Sequence, residues 1–160
     1  MVTEKSAGIV LFRNDSGKNE FLLLKYPQGH WDFVKGKIEQ NETEHGAAQR
    51  ETKEETGITN IEFIDGFEES VEYDFRFKKE DIHKKVIFFL AKTDEKNIKI
   101  SHEHNDYLWL EYDDALKKTT FENAKNVLSN ANEFLSAICC HQLFCSTHRI
   151  FGTKNCSTNN

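Results

Sequence analysis

The chain has no cysteine before Cys139, although four of its 160 residues are cysteines. A disulfide framework therefore does not support the main part of the fold, and we expect the reducing cytoplasm as its location. No apolar run reaches the roughly 18 residues of a membrane span. The first residues also lack the basic segment and long apolar stretch of a signal peptide. We therefore expect no interaction with a membrane.

Basic residues are in the minority, with 21 Lys and Arg against 27 Asp and Glu, and the formal net charge is −6. This balance argues against general nucleic-acid binding. It does not exclude a small polyphosphate partner, because a metal ion and a few local lysines can hold one. A small-molecule substrate is therefore the expected partner.

The chain length suits one domain with a sizeable core. We predict this domain at residues 1–138 and a C-terminal extension, disordered in part, at residues 139–160. The spacing of the Cys and His residues in this extension fits no common zinc site, because Cys-x-x-Cys is absent. These residues are Cys139, Cys140, His141, Cys145, His148 and Cys156.

Short apolar or alternating runs predict a protein rich in strands. The predicted strands are residues 7–13, 20–26, 31–34, 61–67, 70–77, 85–93, 98–100 and 107–112. The predicted helices are residues 43–56, residues 113–118 and a longer one that begins at a Thr120 cap. Strands that bracket helical regions in this way favour an α/β fold, a sandwich with a helix on each side of the sheets.

The helix predicted at residues 43–56 carries the chemistry. Asn41, followed by Glu44 three residues on, predicts its start, and Gly57 predicts its end. Glu51, Glu54 and Glu55 follow at offsets of three and four, so their side chains project from one side. Like charges at these offsets destabilise a helix by about 0.2–0.5 kcal/mol per pair. Carboxylates crowded in this way predict a hard cation, Mg²⁺ with Mn²⁺ as a substitute.

The order of glycines and charges from Gly36 to Ile58, GKIEQNETEHGAAQRETKEETGI, resembles the Nudix box. The family hydrolyses nucleoside diphosphates linked to another group, and its fold is an α/β/α sandwich with a mixed sheet. Thr52, at a position that is often aliphatic, is a mild departure. The resemblance implies a metal site formed by Glu51, Glu54, Glu55 and the Lys35 carbonyl. It further implies that Arg50 orients a carboxylate and that Glu42 binds a second metal or acts through water.

Several flanking segments resemble one branch of this family, the asymmetric bis(5′-nucleosyl)-tetraphosphatases. They are YPQGHWDFVKGKIE, RETKEETGI and the SHEH segment that precedes YLWL. The resemblance implies that Glu103 lies near the metals as ligand or general base, with Glu51 as the other candidate base. The residues that it implies for substrate binding are Tyr26, His30, Lys35, Tyr73, Lys85 and Phe121. Lys37, at a position where the branch has His, is expected to offer a cation near the phosphates instead.

Val34 and Lys37 replace the Pro and His of this branch, which leaves the exact substrate open. The first hypothesis is an enzyme that cleaves diadenosine tetraphosphate to ATP and AMP by water attack. The second is another Nudix substrate: an RNA 5′ end, a diphosphoinositol polyphosphate or a nucleoside triphosphate. The third is a catalytically silent nucleotide-binding module, which typically loses box carboxylates; this chain has lost none.

Overall fold

The computed structural model of the protein describes the backbone of residues 1–147 and the side chains of residues 1–139. The predicted extension therefore lies largely outside the described side chains. Nothing in the described part tests the proposed boundary at residue 138. None of the described helices is long and apolar enough to cross a membrane.

A seven-stranded mixed sheet forms the centre of the molecule. The strands are β1 (Val2–Asp15), β2 (Lys18–Lys25), β3 (Trp31–Asp32), β4 (Val34–Lys37), β5 (Glu62–Phe77), β6 (Glu80–Lys92) and β7 (Asp106–Glu111). The main path runs β3-β2-β1-β6-β5, with β4 on β1 and β7 on β2. β1 and β6 are parallel, and the other pairs are antiparallel.

Alternating side chains of the central strands build two separate cores. On β6, Val86 and Phe88 enter one core, whereas Ile87 and Phe89 enter the other. The helices are α1 (Glu44–Thr56), α2 (Tyr112–Lys118) and α3 (Glu122–Thr147). Helix α1 covers the second core through its two buried alanines, while α2 and α3 cover the first. The predicted α/β/α sandwich with a mixed sheet is confirmed.

The starts of two helices differ from the prediction. Thr43, not Asn41, caps α1, because the Thr43 hydroxyl accepts a hydrogen bond from Gly46 N at 3.0 Å. Asn41 has a φ of 65° and belongs to the preceding turn. Thr120 does not cap α3, since its backbone and side chain both bond to Trp31. The predicted end of α1 is confirmed, with Gly57 at a φ of 75°.

Two strand predictions were also wrong. The two strands predicted at 61–67 and 70–77 are one long strand, β5, with an irregularity in its pairing with β6 between Phe63 and Glu68. Residues 98–100 form no strand; Ile98 and Ile100 pack against the second core instead.

Strand β5 forms one edge of the described sheet, where β6 is its pairing partner. Its sequence is unusually acidic for a strand. The acidic residues are Glu62, Asp65, Glu68, Glu69, Glu72 and Asp74.

Candidate active site

Helix α1 presents the three predicted metal-binding glutamates in three different environments. Glu55 is buried, Glu51 is largely buried, and Glu54 is exposed. Burial raises the pKa of Glu55 above the ordinary glutamate value, and contact with His104 opposes this only in part. Burial also raises the pKa of Glu51, against the influence of Arg50. Two of the three carboxylates are therefore held in surroundings that disfavour their own charge.

Strand β4 passes directly beside the Glu51 carboxylate at Gly36. A Cβ atom built on Gly36 would lie 1.8 Å from Glu51 Cδ and 2.0 Å from its Oε1. Any larger residue would therefore displace the carboxylate. This contact explains why a glycine precedes Glu51 by 15 positions, a spacing that has no local structural reason.

Arg50 connects the acidic cluster to the loop that precedes α1. Its guanidinium bonds both carboxylate oxygens of Glu42, at 2.9 and 3.0 Å, and Glu51 Oε1 at 2.8 Å. It also donates to Glu54 at 3.2 Å and to the Lys37 carbonyl at 2.9 Å. Arg50 therefore bonds five acceptor atoms on four residues. Both carboxylate oxygens of Glu42 are engaged by this guanidinium.

The loop that contains residues 101–105 approaches α1 from the other side. His104 is buried, and its Nε2 lies 3.1 Å from Glu55 Oε1 without the alignment of a hydrogen bond. Glu103 is exposed, and its backbone N donates to Ser101 Oγ at 3.3 Å. The structure thus brings this loop close to the acidic helix, as expected. The side chain that contacts Glu55, however, is His104 and not Glu103.

A cavity of about 660 Å³ opens beside this cluster. Aromatic and aliphatic side chains form most of its lining, together with two lysines and an aspartate. The residues of the prediction that line it are Tyr26, His30, Lys35, Tyr73 and Phe121. Residues that the sequence did not single out also line it, among them Gln28, Asp32, Phe75, Phe77, Lys84 and Asn123.

Tyr26 and Lys35 lie between the cavity and the glutamates. The Tyr26 hydroxyl donates to the Phe33 carbonyl at 2.8 Å, so it is already engaged. Lys35 Nζ bonds Asp32 Oδ2 at 2.6 Å and lies 4.5 Å from the centre of the Tyr26 ring. Burial, and then the charge of Glu55, raises the pKa of Tyr26. These interactions fix the boundary between the aromatic cavity and the acidic helix.

The structure places Lys84, and not Lys85, on the cavity. Lys84 shares a face of β6 with Val86 and Phe88, and burial followed by the charge of Lys35 lowers its pKa. Lys85 faces the other way and bonds Glu72 at 3.2 Å. The alternation of a strand places neighbouring residues on opposite faces, so a shift of one position exchanges the two lysines.

Lys37 does not line the cavity either. Its side chain is exposed and pairs with Glu4 at 3.3 Å, while its carbonyl accepts from Arg50. His30 does reach the cavity, where burial and then Lys35 lower its pKa. The binding roles expected for Lys37 and Lys85 remain predictions that this geometry does not support.

Two features test whether these residues suit a divalent cation. Glu55 Oε2 is buried without a hydrogen-bond partner, and such an atom requires a cation or a donor. The missing side chain at Gly36 lets the Glu51 carboxylate lie against β4, and the available donors are the oxygen ligands that Mg²⁺ prefers. Among the described side chains no three acidic, His or Cys groups converge on one point. Arg50 bonds two of the three predicted ligands, Glu51 and Glu54. The residues therefore suit a cation that replaces these hydrogen bonds.

The mixed sheet, the acidic helix and the glycine beside it define the class of this protein. The model of the NUDIX domain matches residues 2–131, and the chain therefore belongs to the NUDIX family as a Nudix hydrolase. Nudix hydrolases generally use divalent metal ions. The resemblance based on residues 36–58 is confirmed.

Within this family, the chain is similar to the asymmetrical bis(5′-nucleosyl)-tetraphosphatase of Caenorhabditis elegans. The two are 36% identical over 137 residues, which cover 82% of this chain and 96% of that protein. The crystal structure of a C. elegans Ap4A hydrolase binary complex matches with a TM-score of 0.75 and 35% identity, covering 84% of this chain and 98% of that one. An RNA pyrophosphohydrolase of Nitratiruptor is 36% identical over 129 residues, covering 72% of this chain and 81% of that protein.

Proposed function

We propose that the chain hydrolyses dinucleoside polyphosphates with Mg²⁺, cleaving diadenosine tetraphosphate to ATP and AMP by water attack. The observation that carries this proposal is a large aromatic cavity that borders the acidic helix, with Tyr26 and Lys35 between the two. The names of the C. elegans relatives support this substrate. We propose the cytoplasm as its location, since no cysteine precedes Cys139.

The cavity suits the nucleobase. Tyr73 and Phe121 both line it, from β5 and from the start of α3. Phe121 is half exposed although it is a large apolar side chain. Stacking of a base on protein aromatic groups contributes about 1–3 kcal/mol per base and tolerates different bases. We assign these two residues to the adenine.

The lysines at the cavity suit the phosphates. Lys35 and Lys84 bring positive charge to an apolar wall, and the pKa of Lys84 is lowered by burial and by Lys35, because the two cations repel each other. A polyphosphate that leaves the cavity past Lys35 would reach Glu55 and Glu51. Positive charge placed along this path stabilises the charge that develops on the leaving phosphate.

The groups that would hold Mg²⁺ are Glu51, Glu54, Glu55 and the Lys35 carbonyl. When bound, the ion would supply positive charge against the phosphate oxygens and favour a nucleophilic water. We assign proton acceptance from that water to Glu51, whose carboxylate lies directly against Gly36 and whose pKa is raised by burial. Arg50 would hold Glu51 in position through the bond at 2.8 Å.

Turnover of diadenosine tetraphosphate with Mg²⁺, followed by product analysis in ¹⁸O-labelled water, tests the substrate and the attacked phosphorus. We expect ATP and AMP as products, with the label in one of the two only. No Mg²⁺-dependent release from any dinucleoside polyphosphate would refute the proposal. Glu51→Gln and Glu103→Gln then separate the two candidate bases: we expect about a 10²–10⁴-fold loss of kcat in the first and a smaller loss in the second.

RNA 5′ ends are the second candidate, favoured by the similarity to the RNA pyrophosphohydrolase described above. The formal charge of −6 opposes it, because RNA binding depends on contacts to many phosphates. Parallel assays with a 5′-triphosphate RNA and diadenosine tetraphosphate at equal concentrations decide between them. A higher kcat/KM on the RNA would replace our first proposal.

A further inference from the structure

His104 is a buried side chain with unmet hydrogen-bonding capacity. Its imidazole is enclosed by the protein, and neither Nδ1 nor Nε2 has a hydrogen-bond partner in the described part of the chain. His102, two residues earlier in the same loop, is exposed. Because buried polar groups in proteins are nearly always paired, an unpaired imidazole at this depth calls for a specific explanation.

The loop that carries His104 contacts both ends of Glu55. Ser101 N donates to the Glu55 backbone carbonyl at 3.0 Å, while His104 Nε2 lies 3.1 Å from Glu55 Oε1. Asn105 N donates to the Lys25 carbonyl at 2.8 Å, which ties the loop to the end of β2. His104 therefore limits where one oxygen of Glu55 can lie, and leaves Oε2 as the free oxygen.

Four aromatic rings run in sequence from Glu55 to the cavity. His104 meets the Tyr26 ring edge-on, with centroids 4.5 Å apart and an interplanar angle of 90°. Tyr26 stacks on His30 at 4.6 Å and 10°, and His30 lies 5.1 Å from Phe121. The Tyr26 hydroxyl bond to the Phe33 carbonyl fixes the middle of this series. Neighbouring rings therefore form a continuous series of contacts from Phe121 through His30 and Tyr26 to His104.

We infer that His104 is a positioning residue that sets the orientation of Glu55 and couples it to occupation of the aromatic cavity. This inference rests on the proposed function in that a nucleoside occupies the cavity and Glu55 binds a divalent cation. Coupling between two sites is reciprocal, so a nucleoside in the cavity strengthens cation binding at Glu55 to the degree that the cation strengthens nucleoside binding.

The first test measures Mn²⁺ affinity of the full chain without nucleotide, by the electron paramagnetic resonance signal of free Mn²⁺. We expect His104→Leu, which keeps volume but removes the ring nitrogens, to weaken binding about 10-fold or more. His104→Gln, which restores a donor, recovers part of this loss. His102→Leu, the matched control, binds as the wild type does. Wild-type affinity in a folded His104→Leu variant, or a loss in folded His104→Gln as large as that in His104→Leu, would overturn the inference.

The second test repeats the Mn²⁺ titration with saturating adenosine, which has no phosphate to bind the ion. We expect adenosine to tighten Mn²⁺ binding about fivefold in the wild type and in His102→Leu. The effect disappears in His104→Leu and in Tyr26→Leu. Absence of coupling in the wild type, or its persistence in His104→Leu, contradicts the inference. Coupling without hydrolysis of diadenosine tetraphosphate would refute the proposed function and leave this inference intact.

Discussion

Burial and charge conflict at Glu55. Its side chain is enclosed by the protein, yet it is one of three carboxylates on the same side of α1. Burial raises its pKa, and the opposing influences of His104 and Lys35 do not cancel this effect. Burial therefore opposes ionisation of Glu55 in the metal-free protein, and a bound cation would favour the ionised form.

Glu55→Gln separates the stability of the protein from its activity. We expect kcat to fall at least about 10²–10³-fold, because a ligand that stabilises charge on the phosphate is removed. The unfolding temperature of the metal-free protein should rise by about 2–4 °C, since the buried charge is lost. Steady-state kinetics and thermal unfolding in a chelator measure the two effects. Turnover near the wild-type value would refute the role of Glu55.

The pH dependence of stability gives an independent check. The pKa of Glu55 is higher in the folded state than in the unfolded chain, so the folded state binds more protons between the two values. The contribution of Glu55 to the free energy of unfolding is therefore fully present below the unfolded pKa and declines as pH rises through the folded pKa. Glu55→Gln should remove this part of the decline in the free energy of unfolding with rising pH. If urea unfolding of the variant shows the same pH profile as the wild type, the pKa shift of Glu55 is contradicted.

Gly36→Ala tests the contact between β4 and Glu51. The new methyl group would occupy the position of the Glu51 carboxylate, 1.8 Å from its Cδ. We expect kcat/KM to fall about 10²-fold, as for a catalytic group displaced by roughly 1 Å. In a Glu51→Ala background, the same glycine substitution should cause little further loss, because its target has gone. Equal losses in both backgrounds would mean that Gly36 acts elsewhere.

The positions of the three glutamates on one side of α1 and the contact of Arg50 with them could be predicted from the sequence, whereas the contact of His104 could not. Spacing along one helix fixes the side on which Glu51, Glu54 and Glu55 lie. His104 acts through a contact with Glu55 across 49 positions, and no local pattern reports such a contact. Lys84 was missed for another reason: β6 is apolar on both faces from Val86 onwards, so its sequence does not show which alternate residues face the cavity.

The cap of α1 can be tested directly. Thr43→Ala removes the acceptor of the Gly46 N–H bond and should lower the free energy of unfolding by about 1 kcal/mol, while Thr43→Ser should be nearly neutral. Asn41→Gly should be neutral or stabilising, because Asn41 adopts a φ of 65°. Urea unfolding measures all three. A loss in Asn41→Gly as large as that in Thr43→Ala would restore the capping role first expected for Asn41.

Helix and strand ends that depend on local conformation could be predicted from the sequence, whereas those that depend on distant residues could not. Gly57 ends α1 as expected, because the left-handed conformation favours glycine whatever surrounds it. Thr120 was assigned to α3 from its position alone, but Trp31, which is distant in sequence, bonds both its backbone and its hydroxyl. The sequence predicted two strands where the structure has the single strand β5. The strand is continuous because it pairs with β6 on both sides of an irregularity.

Truncation after residue 138 tests the expected domain boundary. Among the described side chains of α3, those that are buried are Ala124, Val127, Leu128 and Ala131, all in the first part of a helix whose backbone runs to Thr147. A chain of residues 1–138 should therefore keep kcat within about twofold and unfold cooperatively. Truncation after residue 126, which removes three of these four residues, should not fold. Loss of cooperative unfolding in the longer fragment would place the boundary further along the chain.

The acidic edge of the sheet bears on how the protein behaves in concentrated solution. β5 offers unpaired backbone groups on the side away from β6 within the described structure, and such an edge invites another chain to add a strand. Six carboxylates along β5 make two approaching copies repel each other. That repulsion is screened by added salt and vanishes when the carboxylates are protonated. We therefore expect concentrated solutions of the protein to remain free of aggregates at low ionic strength and neutral pH, and to aggregate first at high ionic strength or mildly acidic pH.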